Sequence, residues 1–173
     1  MHRFEVDIAG EHLVLEAVDG LFSPRGLDAG TRFLIECLDL GADERLCDLG
    51  CGYGALGIWA AKRLGSERVF GIDIDRKAVD QALANAAANG VGDLRIVEAD
   101  GFDGVDEAGF TWICLNPPYH VDWDVPKKLI RKSFNRLRIG GRLALVVKRR
   151  DWYEAQLRKI FGGCQVRERD GYH

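Results

Sequence analysis

The sequence predicts an α/β fold in which a parallel sheet carries helices on both faces. Three observations predict it. Five short apolar runs, Leu46–Leu49, Val69–Ile72, Leu94–Val97, Trp112–Leu115 and Leu143–Val147, have the unbroken hydrophobicity of strands buried on both faces. Helical patterns separate most of them, which is the βαβ rhythm of a parallel sheet. The first run ends in a glycine-rich loop, Asp48-Leu49-Gly50-Cys51-Gly52-Tyr53-Gly54, that opens directly into a helix.

Before the sheet, Phe4, Val6 and Ile8 alternate with polar residues up to Gly10, and Leu13 and Leu15 resume the alternation, so residues 1–20 read as a β-hairpin. A turn-rich stretch from Gly20 to Gly30 leads into a helix over Thr31–Leu40, stopped by Gly41. The sheet's first helix is Ala55–Leu64, ahead of Gly65. The second, Arg76–Asn89, has Asp75 as N-cap and Gly90 as terminator. In the third, Pro126–Arg138, Asp124 serves as cap; Leu129, Ile130, Phe134 and Leu137 form one stripe and most basic side chains the other. A last helix, Trp152–Phe161, precedes Gly162-Gly163. Cys164–Arg169 then reads as a strand, and Asp170-Gly171 as a hairpin turn. Its return strand starts at Tyr172 and is either short or missing from this sequence.

At 173 residues, 47% apolar and 29% charged, the chain reads as one globular domain over 1–173, a hairpin over 1–20 and the α/β core over 31–173. No apolar run approaches the roughly 20 residues of a membrane span, and Met1-His2-Arg3-Phe4 does not open a secretory leader, so the expectation is a cytoplasmic protein without a membrane partner. Cys37, Cys47, Cys51, Cys114 and Cys164 contain no C-x-x-C pair; they read as reduced core thiols, and no metal site is expected. The net charge of −3 hides a segregation: residues 1–124 carry 10 basic and 23 acidic side chains, residues 125–150 carry 10 basic and none acidic. That basic block suits phosphates. It equally suits a plainly solvated helix surface.

Glycines after a buried strand, with a helix N-terminus behind them, admit close approach of a ligand to the backbone. Gly52-Tyr53-Gly54-Ala55-Leu56-Gly57 also satisfies G-x-G-x-x-G, a fingerprint that alone is weak. Charge separates the two cofactor classes that use such a loop. Asp48, just ahead of the glycines, would repel a pyrophosphate but attract the ammonium of S-adenosylmethionine, a sulfonium without phosphate. The donor's contacts fall on Asp48, Gly50, Cys51, Gly52 and Gly54. Asp73, ending the second strand, can accept both ribose hydroxyls, with Ile74 beside it. Asp100, ending the third, can receive the adenine amine, with Gly101 beside it. Asp73 could instead serve as a helix cap and Asp100 as an ordinary loop acid.

Asn116-Pro117-Pro118-Tyr119-His120 follows the fourth strand. Two prolines make this turn stiff, at the edge of the sheet where ligands of such folds bind. The lone pair of an exocyclic amine on a base or amide is delocalised. Two acceptors holding its hydrogens, Asn116 Oδ1 and the Pro117 carbonyl, can turn that lone pair toward a methyl group, while Tyr119 stacks on a planar substrate. Such a transfer needs alignment more than acid–base power. Trp123 could add a stacking surface, or could dock the helix that follows.

With these motifs the chain resembles class I S-adenosylmethionine-dependent methyltransferases, and more narrowly the "methyltransferase small" family of ribosomal RNA guanine-N2 methyltransferases. The likeness rests on Gly20-Leu21-Phe22-Ser23, Leu27-Asp28-Ala29-Gly30-Thr31, the Asp48–Gly54 loop and Asn116–His120. It implies a Rossmann-like seven-stranded sheet after the hairpin, and methyl transfer to a guanine 2-amino group gripped at Asn116. It implies too that the segment containing Asp28 and Thr31 lies over the methionine end of the donor. His120 either contacts base or phosphate or is a plain loop residue. The RNA, ribosomal RNA or a ribosomal subunit, would be held by Lys127, Lys128, Arg131, Lys132, Lys148, Arg149 and Arg150. Adenine-N6 and protein-glutamine methyltransferases share N-P-P-Y and stand as alternatives, as do a non-catalytic cofactor- and RNA-binding module and an NAD-dependent oxidoreductase. Two departures from larger members are visible: one methyltransferase-like domain instead of two in tandem, and a different sequence over Leu143–Arg150.

Overall fold

The computed structural model describes residues 1–117 and 123–173. A parallel sheet is built from β3 (Leu46–Leu49), β4 (Val69–Asp73), β5 (Arg95–Glu98), β6 (Phe110–Leu115) and β7 (Leu137–Leu145), in the order β5-β4-β3-β6-β7. Helices α1 (Ala29–Cys37), α2 (Ala55–Leu64) and α3 (Arg76–Ala88) share a core with Leu46, Val69, Ile96 and Trp112. On the opposite face α4 (Asp124–Arg136) brings Leu129 against Cys47, Phe70 and Ile113. This is the predicted two-faced α/β sheet. Five strands, not seven, make up the sheet among the described residues.

The differences from the sequence reading have local causes. The last strand begins at Leu137, not Leu143, because α4 ends at Arg136 and the chain enters the sheet at once. Its register against β6 then shifts between Phe110 and Trp112. Only a residue without Cβ fits the shift: a Cβ on Gly141 would lie 2.8 Å from the Phe110 carbonyl oxygen, and Gly140 turns the chain at φ +80°. Asp124 is the first residue of α4 instead of its cap. Cys164–Arg169 forms no strand. The Asp170-Gly171 turn does form, both residues at positive φ, bridging Arg169 to Tyr172. His173 and Val147 exchange two backbone hydrogen bonds of 2.8 and 2.9 Å, so the return segment starts to pair beyond the end of β7. Between β7 and that segment, α5 (Arg150–Phe161) packs Tyr153 against Ile130 of α4 and Val147.

The predicted hairpin is β1 (His2–Ile8) paired with β2 (Glu11–Ala17). A two-stranded hairpin is marginal by itself. Here Val6, Ile8, Leu13, Leu15 and Ala17 are buried against the core. The edge of β2 is closed by side chains instead of a third strand. Asn85 of α3 accepts from Glu16 N at 2.9 Å and donates to the carbonyls of Glu16 and Tyr53, both at 2.8 Å. One turn on, Asn89 accepts from Val14 N at 3.0 Å and donates to the Val14 carbonyl at 2.7 Å. Asn85 is buried and ties the hairpin to the glycine loop as well as to α3.

Asn85→Ala should therefore destabilise the protein by about 2–3 kcal/mol in urea denaturation, because the Glu16 amide and the Tyr53 carbonyl lose their partner. Asn89→Ala, at a less buried position, should cost about 1 kcal/mol. Equal, negligible losses would show that hydrophobic packing alone holds the hairpin.

Candidate active site

Strand register assembles the site. Leu49 pairs with Ile72 of β4 on one side and with Leu115 of β6 on the other, so the residues that follow, Gly50, Asp73 and Asn116, come abreast at the carboxyl edge. The sheet order reverses direction there, and the departing chains open a crevice. A cavity of about 480 Å³ occupies it, within the size range of small-molecule sites. Asp48, Gly50, Cys51, Gly52, Thr31, Asp73, Ile74, Asp100, Gly101 and Asn116 all line it, so ten of the predicted cofactor contacts meet in one place.

The glycine loop is held by its neighbours. Gly50 N and Cys51 N both donate to the Ile72 carbonyl, at 2.7 and 2.9 Å. A Cβ on Gly50 or Gly52 would meet nothing within 4 Å; what favours glycine at both is the left-handed backbone, at φ +76° and +54°. Gly54 and Gly57 have packing reasons. Gly54 lies where a Cβ would press on Ala82 at 3.0 Å, and it sits beneath the cavity without lining it. A Cβ on Gly57 would press on Asp48 Oδ2 at 3.2 Å.

Asp48 uses that space: its carboxylate accepts from Gly57 N at 2.8 Å, at the N-terminal turn of α2. Burial pushes its carboxyl up to about 7, with the Gly57 hydrogen bond opposing and the charge of Asp73 adding. Cys51 is pushed up too, chiefly by burial, and stays a neutral thiol. Asp73 is oriented by both oxygens, one accepting from Gly52 N at 2.8 Å, the other from Asp75 N at 2.9 Å. Each oxygen keeps a lone pair, enough for two hydroxyls. The cap of α3 is Asp75, not Asp73. Asp100 is 2.7 Å from Lys128 Nζ.

Asn116 directly follows β6 and lines the cavity. Its Nδ2 donates to Asp28 Oδ2 and to Thr31 Oγ1, both at 2.9 Å, and its buried Oδ1 has no hydrogen-bond partner among the described residues. Asp28 caps α1 and is not among the cavity's lining residues. Pro117 is buried; Pro118, Tyr119 and His120 lie outside the described residues.

The predicted phosphate contacts divide. Lys128 pairs with both Asp100 and Asp103, and Lys132 with Asp103, so two of the seven cations have acidic partners close to the cavity. Arg150 hydrogen-bonds Glu154 at 2.9 Å. Arg149 lies over the Trp123 ring at 5.5 Å and Lys148 over Tyr172 at 4.9 Å. Arg131 is exposed on α4 and Lys127 is partly buried. Of the two roles weighed for Trp123, the one seen is docking: its ring lies 4.4 Å from that of Trp152, joining α4 to α5, while the side chain remains 37% exposed.

Apart from Ile74, the cavity's apolar walls were not singled out in the sequence. Phe22, Ile74 and Val125 line it while 48%, 68% and 43% exposed, a cluster of uncovered apolar side chains around one opening. Leu129 joins them, pressed so close to Gly101 that a Cβ there would lie 2.7 Å from Leu129 Cδ2. A weak signal existed for Phe22, which lies inside the Gly20–Ser23 motif.

A Pseudomonas putida protein named ribosomal RNA small subunit methyltransferase C is 35% identical over 98% of this chain and 52% of its own length. A Pseudomonas paraeruginosa protein of the same name is 33% identical, again over 98% of this chain and 52% of its own. The solved T. thermophilus 16S rRNA N2 methyltransferase, in complex with AdoMet and guanosine, superposes with a TM-score of 0.87 at 30% identity, over 98% of this chain and 48% of that one. The chain thus spans about half the length of these relatives. The family model described as the methyltransferase small domain matches residues 12–173, and the chain belongs to that family.

Proposed function

We propose that this chain transfers the methyl group of S-adenosylmethionine to the 2-amino group of a guanine in ribosomal RNA. The observation that carries the reading is that one cavity holds both a bare glycine cradle between two acids and an asparagine whose amide oxygen lacks a partner among the described residues. When bound, S-adenosylmethionine supplies an electrophilic methyl: a nitrogen–carbon bond forms as the carbon–sulfur bond breaks, its electron pair leaving with sulfur as a neutral thioether, and the nitrogen then sheds a proton.

The residues fit that donor. Asp48 favours a cation and opposes a phosphate. Asp73 faces the cavity with two lone pairs, and Ile74 and Leu129 offer apolar surface to a flat ring. Asn116 Oδ1 accepts one amine hydrogen and the Pro117 carbonyl takes the second. An amine so held presents its lone pair along one direction, which supplies the alignment that methyl transfer needs. Relatives named as ribosomal RNA methyltransferases, and one solved with guanosine, support guanine over adenine or a protein amide.

For the RNA we propose Lys127, Arg131, Lys148 and Arg149 as phosphate contacts. Lys128 and Lys132 are shared with Asp100 and Asp103. Substrates of this size reach the cavity as an unpaired or flipped-out nucleotide. No helix among the described residues is long and apolar enough to cross a membrane, and for a ribosomal substrate we propose a cytoplasmic activity.

Calorimetric titration with S-adenosylhomocysteine, followed by transfer of labelled methyl to unmodified small-subunit ribosomal RNA, tests the reading. Binding with label recovered in N2-methylguanosine is expected. Label only in adenine or protein would replace the substrate, and absence of binding would remove the donor. Asn116→Ala should keep donor affinity while losing most of the transfer; equal loss of both would make the turn structural.

The elevated Asp48 carboxyl gives a pH signature. An ammonium group, which S-adenosylhomocysteine keeps, binds the ionised carboxylate, so affinity for S-adenosylhomocysteine should fall as pH drops below about 7, approaching roughly tenfold per pH unit. The same shift works against the fold: with a carboxyl higher folded than unfolded, stability is greatest at low pH and is lost as pH rises toward 7. Asp48→Asn should therefore raise the melting temperature at pH 8 and flatten the affinity profile. A pH-dependent profile in that variant would assign the titration to another group.

A further inference from the structure

Asn116 is not held by its own turn. Its amide nitrogen spends both hydrogens on the segment entering α1, one on Asp28 Oδ2 and one on Thr31 Oγ1, each at 2.9 Å and across more than eighty residues of chain. The same Asp28 oxygen accepts from Thr31 N at 2.9 Å as the cap of α1, and the Thr31 hydroxyl lies 3.5 Å from it. A carboxylate accepts hydrogen bonds and donates none. The side of the Asn116 amide facing Asp28 must therefore be nitrogen, and its oxygen must face away. That oxygen is buried and unpartnered among the described residues, a condition that folded proteins rarely tolerate without a use.

We propose that Asp28 is a positioning residue for the substrate amine, acting through Asn116, with Thr31 completing the clamp. The inference rests on the methyl-transfer reading above. It assigns Asp28 a task other than lying over the donor, in keeping with its absence from the cavity wall, whereas Thr31 does line the cavity. Two effects follow from the clamp. It forbids the flipped amide, which would present N–H to an amine and repel it. It also polarises the amide: a carboxylate pulling on Nδ2–H enriches Oδ1 in negative charge, and hydrogen bonds linked in this way reinforce one another. The amine's hydrogens become more acidic as its nitrogen attacks the methyl, so a stronger acceptor at Oδ1 helps the transition state more than the bound substrate.

Asp28→Asn is the discriminating variant. Asparagine caps helices as well as aspartate does, so α1 and the fold should survive, which thermal unfolding verifies. The new side chain is neutral and can present either end of its amide to Asn116. The direct readout needs no turnover: affinities for guanosine and for inosine, which lacks the 2-amino group, measured with S-adenosylhomocysteine present. The wild-type protein should prefer guanosine by about tenfold, the worth of one satisfied buried acceptor. Asp28→Asn should abolish the preference while leaving S-adenosylhomocysteine affinity within about twofold. In methyl transfer to ribosomal RNA it should lower kcat about 10- to 100-fold at unchanged donor KM, the range seen when a supporting hydrogen bond to a ligand-contacting group is removed elsewhere. Adding Asp28→Asn to Asn116→Ala should cost nothing more, because the device has one path.

A variant that keeps the guanosine preference, that loses donor affinity instead, or whose kcat loss adds to that of Asn116→Ala would overturn the positioning role. A wild-type protein that does not distinguish guanosine from inosine would overturn the guanine reading beneath it.

Discussion

The register of three strands governs this molecule. Leu49 is paired on both sides, with Ile72 and with Leu115, and a shift of either neighbour by one residue would carry Asp73 or Asn116 to the opposite face of the sheet. The glycine loop is pinned to the same point, since Gly50 and Cys51 donate to the Ile72 carbonyl. The cradle, the acid that orients it and the asparagine across the crevice are thus fixed together by backbone hydrogen bonds that carry no chemistry. Function is grafted onto the sheet at its carboxyl edge, and the sheet supplies the precision.

Charge in that crevice runs against stability. A buried carboxylate with a hydrogen bond from one backbone amide and another acid nearby is destabilising in the unliganded protein, and burial is the main cause that raises Asp48 to about 7. A cation entering the cavity removes that cost, so an interaction that weakens the fold strengthens the complex. Asn116 has the same character. Its Oδ1, unpartnered among the described residues, is a deficit, and the protein compensates by anchoring the other half of the amide twice. Two side chains of the crevice, Asp48 and Asn116, are thus held in environments that leave them unsatisfied, which makes the crevice a candidate site.

Much of this was legible in the sequence. Apolar runs located the five strands because strands buried on both faces have no solvent side to interrupt them. The glycine loop and the Asn116 turn stood out because close approach and rigidity demand particular residues. Asp170-Gly171 declared its turn for the same reason, both residues taking the left-handed conformation. Pairings between distant segments were not legible. Nothing local in α3 announces that Asn85 and Asn89 will cap the edge of β2. Nor does the block of cations at 125–150 reveal that Lys128 and Lys132 will meet Asp100 and Asp103. Asp28 was noticed as part of a motif and given a place over the donor, whereas its carboxylate faces Asn116. The early start of β7 was hidden for a simpler reason: Leu137 also completes the apolar stripe of a helix.

In the proposed reaction, donor and guanine amine meet in one crevice, the amine against Asn116. A crystal structure of the protein with S-adenosylhomocysteine and guanosine tests that arrangement most directly. The predicted result is the guanine 2-amino nitrogen about 3 Å from Asn116 Oδ1, with the sulfur on the far side of the amine in line for transfer and the ribose hydroxyls on Asp73. Guanosine seated elsewhere, or presenting another edge to Asn116, would contradict it.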